Sequence, residues 1–338
     1  MSLEDCINKC TKIKSYDEFQ VCGLETIRKD ESDDYFIYGN YDSDRTKFLR
    51  SLMRSYSANN YVCFNSKFSP DNKAYDFDSP LVIEQNDMFV SEEMMTKLFD
   101  KLQTSDADND LYITVDLNSF NREFLLVLST MLFKLDRPAK IRFLYLSSKN
   151  YDLEKWKALT HEKPEILIVS PGVPVFDSTA LVFISGYEVN AVKRLIDKFR
   201  PHTLILGYNK KGVNDIAHGM NLKTHTDTMQ LLMENYKNSP DDSIISLPFD
   251  VRNPVGCCKD IYDALTEHCP PDAHVKIAAT NTRLSLVGAA LFAAQKNSAH
   301  NIQLVYPKPI DFDEKTFSTG VTDYYEYIFD STHLSLKF

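Results

Sequence analysis

Four short polar stretches sit where an apolar run gives way to an amphipathic one, and they hold the residues best suited to chemistry. They are Gly39 to Asp44, Asp116 to Asn121, Gly186 to Asn190 and Thr280 to Arg283. A loop that ends a strand and opens a helix presents free backbone N–H groups and the positive end of a helix dipole, both suited to a phosphate. In or beside these stretches the candidate ligand-binding residues are Tyr41, Asp42, Arg45, Asn118, Ser119, Arg122, Tyr187, Glu188, Asn190, Thr280, Thr282 and Arg283. The same residue types also cap helices, so Asp116, Asn118, Thr280 and Thr282 have a purely structural alternative.

Other chemistries find less support. None of the four stretches matches GxxxxGK[ST] or GxGxxG, and no GxSxG elbow occurs, so ordinary P-loop, dinucleotide and serine-hydrolase signatures are absent. With only 10 glycines in 338 residues, a glycine-cradled cofactor is not expected. Eight histidines are scattered; His218 and His225 are accompanied only by Asp215 and Asp227, which falls short of a metal site. Asp42 and Glu188, at matched positions, would be paired acids or caps of their own helices. Seven cysteines lack paired CxxC spacing, which points to free thiols rather than disulfides or zinc. A net charge of −10 argues against a general nucleic-acid coating surface.

The elements that must position the four stretches repeat. Leu181 to Tyr208 reads as strand, turn at Gly186, helix with Val189, Val192, Leu195, Ile196 and Phe199 on one face, and a second strand. Tyr35 to Asn65 reads the same way: Gly39 matches Gly186, Tyr41 matches Tyr187, Asp42 matches Glu188, Lys47 matches Lys193 and Leu49 matches Leu195. A second strand–loop–helix–strand unit follows in each half, around Asp116 and around Thr280, with Tyr145 set against Tyr306. The span from Asp116 to Tyr145 is the longer of the two. Expected elements of the first half are strands over 35–38, 61–64, 111–115 and 141–145, and helices over 44–57, 91–102 and 120–134. The second half adds helices near 226–236 and 256–267.

The expected fold class is α/β, two tandem lobes with parallel sheets related by internal duplication. The expected divisions are an N-terminal extension over 1–34, a first lobe over 35–160, and a second lobe over 161–338 carrying a C-terminal aromatic segment. In that segment Tyr324, Tyr325, Tyr327 and Phe329 are expected to pack against a domain face. The N-terminal extension, polar and ending in the acidic run Asp30, Glu31, Asp33 and Asp34, reads as a short helix or strand and a solvated linker. No apolar stretch approaches the roughly 20 residues that span a bilayer, and the N-terminus lacks the apolar core of a signal peptide, so a cytoplasmic protein is expected.

The strand-end loops GNYDSD and SGYEVN, with the later VDLNSFNRE and ATNTRLSL, resemble those of the CARF and SAVED families of Rossmann-like nucleotide sensors. The resemblance is one of layout, over roughly 35–150 and 178–310. The common later loop of the family is often glycine-rich with a basic residue after it; here Arg122 and Arg283 stand nearest that place. The resemblance implies a bilobed sensor holding a nucleotide, such as a cyclic oligonucleotide, or another phosphorylated small molecule between its lobes, in a prokaryotic regulatory or antiviral defence setting. It implies an effector partner protein. Two alternatives stand beside it: a non-catalytic interaction subunit, and a nucleotide-degrading enzyme of the ring-nuclease kind.

Overall fold

Runs of Val, Ile, Leu and aromatic residues bounded by turns form strands buried on both faces, the pattern that parallel sheets impose. The computed structural model describes residues 11–14, 24–28, 31–40, 43–53, 56–66, 77, 80–85, 92–104, 110–152, 166–168, 180–187, 189–212, 215–235, 243–295, 301–307 and 318–331. The chain divides into two units: Met1–Asn150 with Ser318–Lys337, and Tyr151–Phe317.

In chain order the first unit contains β1 (Thr11–Lys14), β2 (Asp33–Gly39), α1 (Asp44–Leu52), β3 (Ala58–Ser66), β4 (Leu81–Gln85), α2 (Glu92–Thr104), β5 (Leu111–Asp116), α3 (Arg122–Phe133) and β6 (Ala139–Leu146). A two-residue strand, β7 (Asn150–Tyr151), ends this stretch. The second unit contains β8 (Ile166–Ile168), β9 (Ala180–Ile184), α4 (Val189–Phe199), β10 (Thr203–Lys211), α5 (Asp215–Asn235), β11 (Ser243–Asp250), α6 (Pro254–His268), β12 (His274–Ala279), α7 (Arg283–Ala293) and β13 (Asn301–Pro307). The chain then returns to the first unit with β14 (Ser318–Thr319) and β15 (Tyr324–Asp330).

The first sheet runs β1-β15-β6-β5-β2-β3-β4 and the second β11-β10-β9-β12-β13-β8. Numbered from the first parallel strand of each unit, β2 and β9, both contain the doubly wound order 3-2-1-4-5, all parallel. Antiparallel strands extend each sheet beyond its fifth: β15 then β1 in the first unit, β8 in the second. The topology is that of a Rossmann-like α/β fold in each unit.

Helices cover both faces of each sheet. In the first unit α1 lays Leu49 and Leu52 over Phe36, Tyr38, Leu144 and Leu146. On the opposite face α3 packs Phe124 against Phe64, centroids 4.3 Å apart, and Phe133 against Phe143 and Phe329. In the second unit Val192, Leu195 and Phe199 of α4 and Leu232 of α5 cover Leu181, Phe183, Leu204 and Leu206. Helices α6 and α7 pack on each other so closely that a Cβ on Gly288 would lie 2.8 Å from the Pro254 carbonyl oxygen and 2.9 Å from Cys257 Cβ.

Three divisions read from the sequence change. Tyr324–Asp330 is not an appendage of the second lobe; it is β15, and its register with β6, from Tyr324↔Leu146 to Asp330↔Lys140, places it in the first sheet. Tyr325, Tyr327 and Phe329 lie on one face of this interior strand and Tyr324 on the other, and all four are buried. The unit boundary falls at Tyr151 rather than after residue 160. Before residue 35 the expected short strand is present as β1, which pairs with β15, whereas Asp33, expected in a solvated linker, is buried, as is Leu24.

Asp33 belongs to a buried polar network. Its carboxylate accepts from Tyr56, Thr114 and Arg142 at 3.0, 2.8 and 3.1 Å and from the Ile27 amide at 2.7 Å. The Arg142 guanidinium also donates to Thr114 and to the Glu25 carbonyl, with Glu326 at 3.8 Å. Burial and the neighbouring Asp33 push the Tyr56 hydroxyl well up. A smaller counterpart occurs in the second unit, where buried Lys276 on β12 donates to Gln303 on β13 and burial pulls its ammonium down.

Candidate functional site

In a doubly wound sheet the loops after the first and fourth strands diverge at the switch point, and ligands meet the sheet there. Both units build this point in the same way. In the first, the Gly39 amide donates to Ser119 Oγ at 2.9 Å. In the second, the Gly186 amide donates to Thr280 Oγ1 at 3.0 Å. A Cβ on either glycine would sit closer to the facing carbonyl oxygen, of Ser119 or Thr280, than real Cβ atoms approach. Glycine is therefore required here by close approach of two loops, not by a turn conformation.

On the strand ladder Asp116 and Thr280 do correspond: each follows the residue, Val115 or Ala279, that pairs with Ile37 or Ile184. The contact to the glycine nevertheless passes in the first unit to Ser119, because a 3-10 turn, Leu117–Ser119, intervenes. The same ladders set Arg142 opposite Thr114 and Val305 opposite Ala278, so Tyr306 corresponds to Phe143, and the match of Tyr145 with Tyr306 read from the sequence does not hold. Asp116 caps the turn, accepting from the Asn118 amide at 2.9 Å and from Asn118 Nδ2 at 3.2 Å. Ser119 Oγ donates onward to the Asp116 carbonyl at 2.8 Å.

Beneath the second clasp lies a layer of buried amides. Asn221, from α5, donates to the carbonyls of Ser185 and Gly186 at 2.7 Å each and accepts from the Asn209 amide at 2.7 Å. Asn281 donates to the Ser185 carbonyl and to Asn209 Oδ1, and accepts from the Thr282 amide at 2.8 Å. Thr282 then caps α7 by accepting from the Ser285 amide. Asn209 Nδ2, fully enclosed, has no hydrogen-bond partner among the described residues. Sequence reading missed Asn209 and Asn221 because an asparagine inside a strand or helix carries no local signal of what it will face.

The candidate residues separate by environment. Asn118, Ser119, Thr280 and Thr282 are buried and bonded within the loops, so their side chains already hold the clasps and caps. Arg45 is buried at the start of α1 and donates to Ser318 Oγ at 3.4 Å, while its neighbour Asp44 accepts from the Gly320 amide at 3.1 Å. The returning segment before β15 thus lies against the start of α1. That helix is capped by Ser43, whose side chain accepts from the Thr46 amide. Arg283 is buried and Arg122 half-buried, each the first residue of its helix. Tyr187 is half-buried, its ring centroid 6.4 Å from that of Tyr151, and Asn190 is exposed. Tyr41, Asp42 and Glu188 lie outside the described residues.

A second polar cluster gathers where β10 and β11 end. The Arg252 guanidinium forks onto Asp250, with both nitrogens at 3.1 Å. Lys259 pairs with Asp263 one turn along α6. Asp260 is half-buried between these pairs, and burial, reinforced by the Asp263 charge, pushes its carboxyl up to about 6. A carboxyl in that range can take up and release a proton near neutral pH. Sequence reading passed over it because its charged neighbours come from three separate elements.

His225 lies on the other face of the sheet, stacked on Tyr208 at 4.4 Å and in hydrogen-bond contact with Ser246 at 3.2 Å; burial lowers its pKa. Among the described residues no group of three or more His, Cys, Asp or Glu side chains is arranged to hold a metal ion. No helix among them is long and apolar enough to cross a membrane. No protein-family model matches the chain, and no curated protein matches it significantly.

Proposed function

We propose that the protein is a two-lobed sensor of a nucleotide or related phosphorylated small molecule, received at the strand-end loops of its Rossmann-like units. One observation carries this reading. In both units a glycine amide is clasped by the hydroxyl of Ser119 or Thr280, which fixes the loop after the first strand to the loop that opens α3 or α7. A clasp of that kind holds two helix N-termini side by side at the switch point, the arrangement suited to an anion. The same clasp in two units with the same strand order also supports their origin by internal duplication.

In this reading the clasp residues position the loops and do not themselves meet the ligand. Arg122, Tyr187 and Asn190, which remain partly or fully exposed, would make the contacts. Arginine would face phosphate, and the Tyr187 ring would stack on a base. The setting in antiviral defence and the effector partner rest on the resemblance to CARF and SAVED sensors alone.

A ligand that binds the folded chain raises its melting temperature in proportion to the logarithm of its concentration over Kd. Mononucleotides and cyclic oligonucleotides are the first panel for a thermal-shift assay. The expected result is a shift with at least one member that Arg122→Ala and Asn190→Ala reduce while leaving the ligand-free melt unchanged. If no member of the panel shifts the melt, the proposal fails. A second reading, turnover of the nucleotide with Asp260 as its acid or base, is favoured by the Asp260 carboxyl poised near neutrality with the Lys210 charge nearby. Wild-type protein that leaves every member of the panel intact would dismiss turnover, and hydrolysis that survives Asp260→Asn would dismiss the role of Asp260.

A further inference from the structure

The described residues leave four large apolar side chains exposed, and three of them lie on one helix: Ile216, Leu222 and Met233 of α5 at 53%, 43% and 59% exposure. Ala217, Met220, Asn221, Thr224, Thr228 and Leu232 form the opposite, buried side of α5. The outward side therefore reads Ile216, Gly219, Leu222 with Lys223, Thr226, Gln230 and Met233, a line of residues three or four apart. From Ile216 to Met233 that line covers about 25 Å at 1.5 Å per residue. Helix α5 packs on β10 and reaches β11, the edge strand of its sheet, through His225.

The line is its own complement when reversed. Ile216 and Met233 stand near opposite ends, almost equally far from the middle, so a second α5 laid antiparallel brings each onto the other. A Cβ on Gly219 would touch nothing within 4 Å, so the helix surface is open there to receive a partner side chain such as Gln230. Near the middle, Lys223 and Asp227 are both exposed, and neither makes an ion pair within the described residues although they are one turn apart. In the antiparallel arrangement each Lys223 faces the Asp227 of the other copy; in a parallel one, like charges would meet. Asp215 and Glu234 fall at the rim, in water, where their repulsion is screened.

We propose that this outward face of α5 is a self-pairing surface, on which a second copy of the chain docks through its own α5, antiparallel about a twofold axis near His225. The interface is isologous, with Lys223–Asp227 pairs repeated on either side of the axis. It is independent of ligand binding at the strand-end loops.

The test uses the full chain in sedimentation velocity over a concentration series. Wild type is expected to dimerise reversibly. Lys223→Asp alone and Asp227→Lys alone each set like charges across the axis, and each weakens association by at least about tenfold. Mixing the two variants restores it, because only the mixed pair brings opposite charges together at both positions. Leu222→Asp makes the chain monomeric with an unchanged circular-dichroism melt. A wild-type chain that stays monomeric at every concentration overturns the proposal. So does a dimer indifferent to both single charge variants, or a mixture no tighter than its components.

Discussion

Adding one methyl group at Gly186 should open the switch point of the second unit. The new Cβ would lie 2.9 Å from the Thr280 carbonyl carbon and 3.1 Å from its Oγ1, closer still to the carbonyl oxygen, with buried backbone on the far side. Overpacking at a site that cannot give costs about 1–3 kcal/mol, and parting the loops also stretches the Gly186–Thr280 hydrogen bond, another ~1 kcal/mol. Gly186→Ala is thus expected to destabilise the chain by about 2–4 kcal/mol. For a unit of this size that corresponds to a fall of about 5–15 °C in melting temperature. Gly39→Ala should behave alike in the first unit. Gly219→Ala is the control: with open space around it in mid-helix, it should stabilise by about 0.5–1 kcal/mol. The assay is thermal and urea unfolding, with hydrogen exchange to locate the loosened loop. If Gly186→Ala melts within a degree or two of wild type, the clasp is not a constraint and the argument built on it collapses.

Three further expectations follow from individual groups. Arg142→Ala leaves the enclosed Asp33 carboxylate without its cation and should cost about 3–5 kcal/mol, whereas the same change with Asp33→Asn should cost less than the two separately, as a double-mutant cycle by urea unfolding would show. Asp260 binds its proton more tightly in the folded chain than in the unfolded, so it withdraws stability as pH rises from about 4 to about 6. Asp260→Asn should therefore match wild type below about pH 4 and exceed it by about 1 kcal/mol above about pH 6, the value being kept small by solvent screening; melting curves across that range check it. Thr280→Val keeps the shape of the side chain but removes the acceptor of the Gly186 amide, and should cost about 1–3 kcal/mol, while Thr280→Ser should be milder, by the same unfolding assay.

Much of the architecture was legible in the sequence because parallel strands announce themselves as apolar runs. The matches of Gly39 with Gly186 and Leu49 with Leu195 hold in space: each glycine is clasped, and each leucine is buried under its helix. Helix α5 was underestimated, with only its later half expected, because its polar and apolar residues are spread around the helix and Thr224, Thr226 and Thr228 dilute the pattern. Strand β11, an edge strand with Ser243, Ser246 and Pro248 exposed, lacks the apolar run of a central strand. The assignment of β15 to the first sheet depends on its pairing with β6, where Tyr324 and Leu146 are 178 residues apart, which no local pattern encodes.

At the candidate site the residue types were legible but not their use. Ser119, Thr280 and Thr282 were picked out as polar groups at strand ends, and that is where they lie. Whether a hydroxyl faces a ligand or a neighbouring amide depends on how closely two loops approach, and Gly39 and Gly186 set that distance. Asp33 was read as part of a solvated run because three of its acidic neighbours are close in sequence; Arg142, its partner, is not.

The most direct test of the proposed function is hydrogen exchange on the full chain with and without whichever nucleotide raises its melting temperature. The account predicts slowed exchange at Ser185–Ala191 and Thr280–Leu286, or at their counterparts Gly39–Lys47 and Leu117–Phe124, with little change elsewhere. Protection confined to other parts of the chain, or none at these loops under saturating ligand, would contradict it.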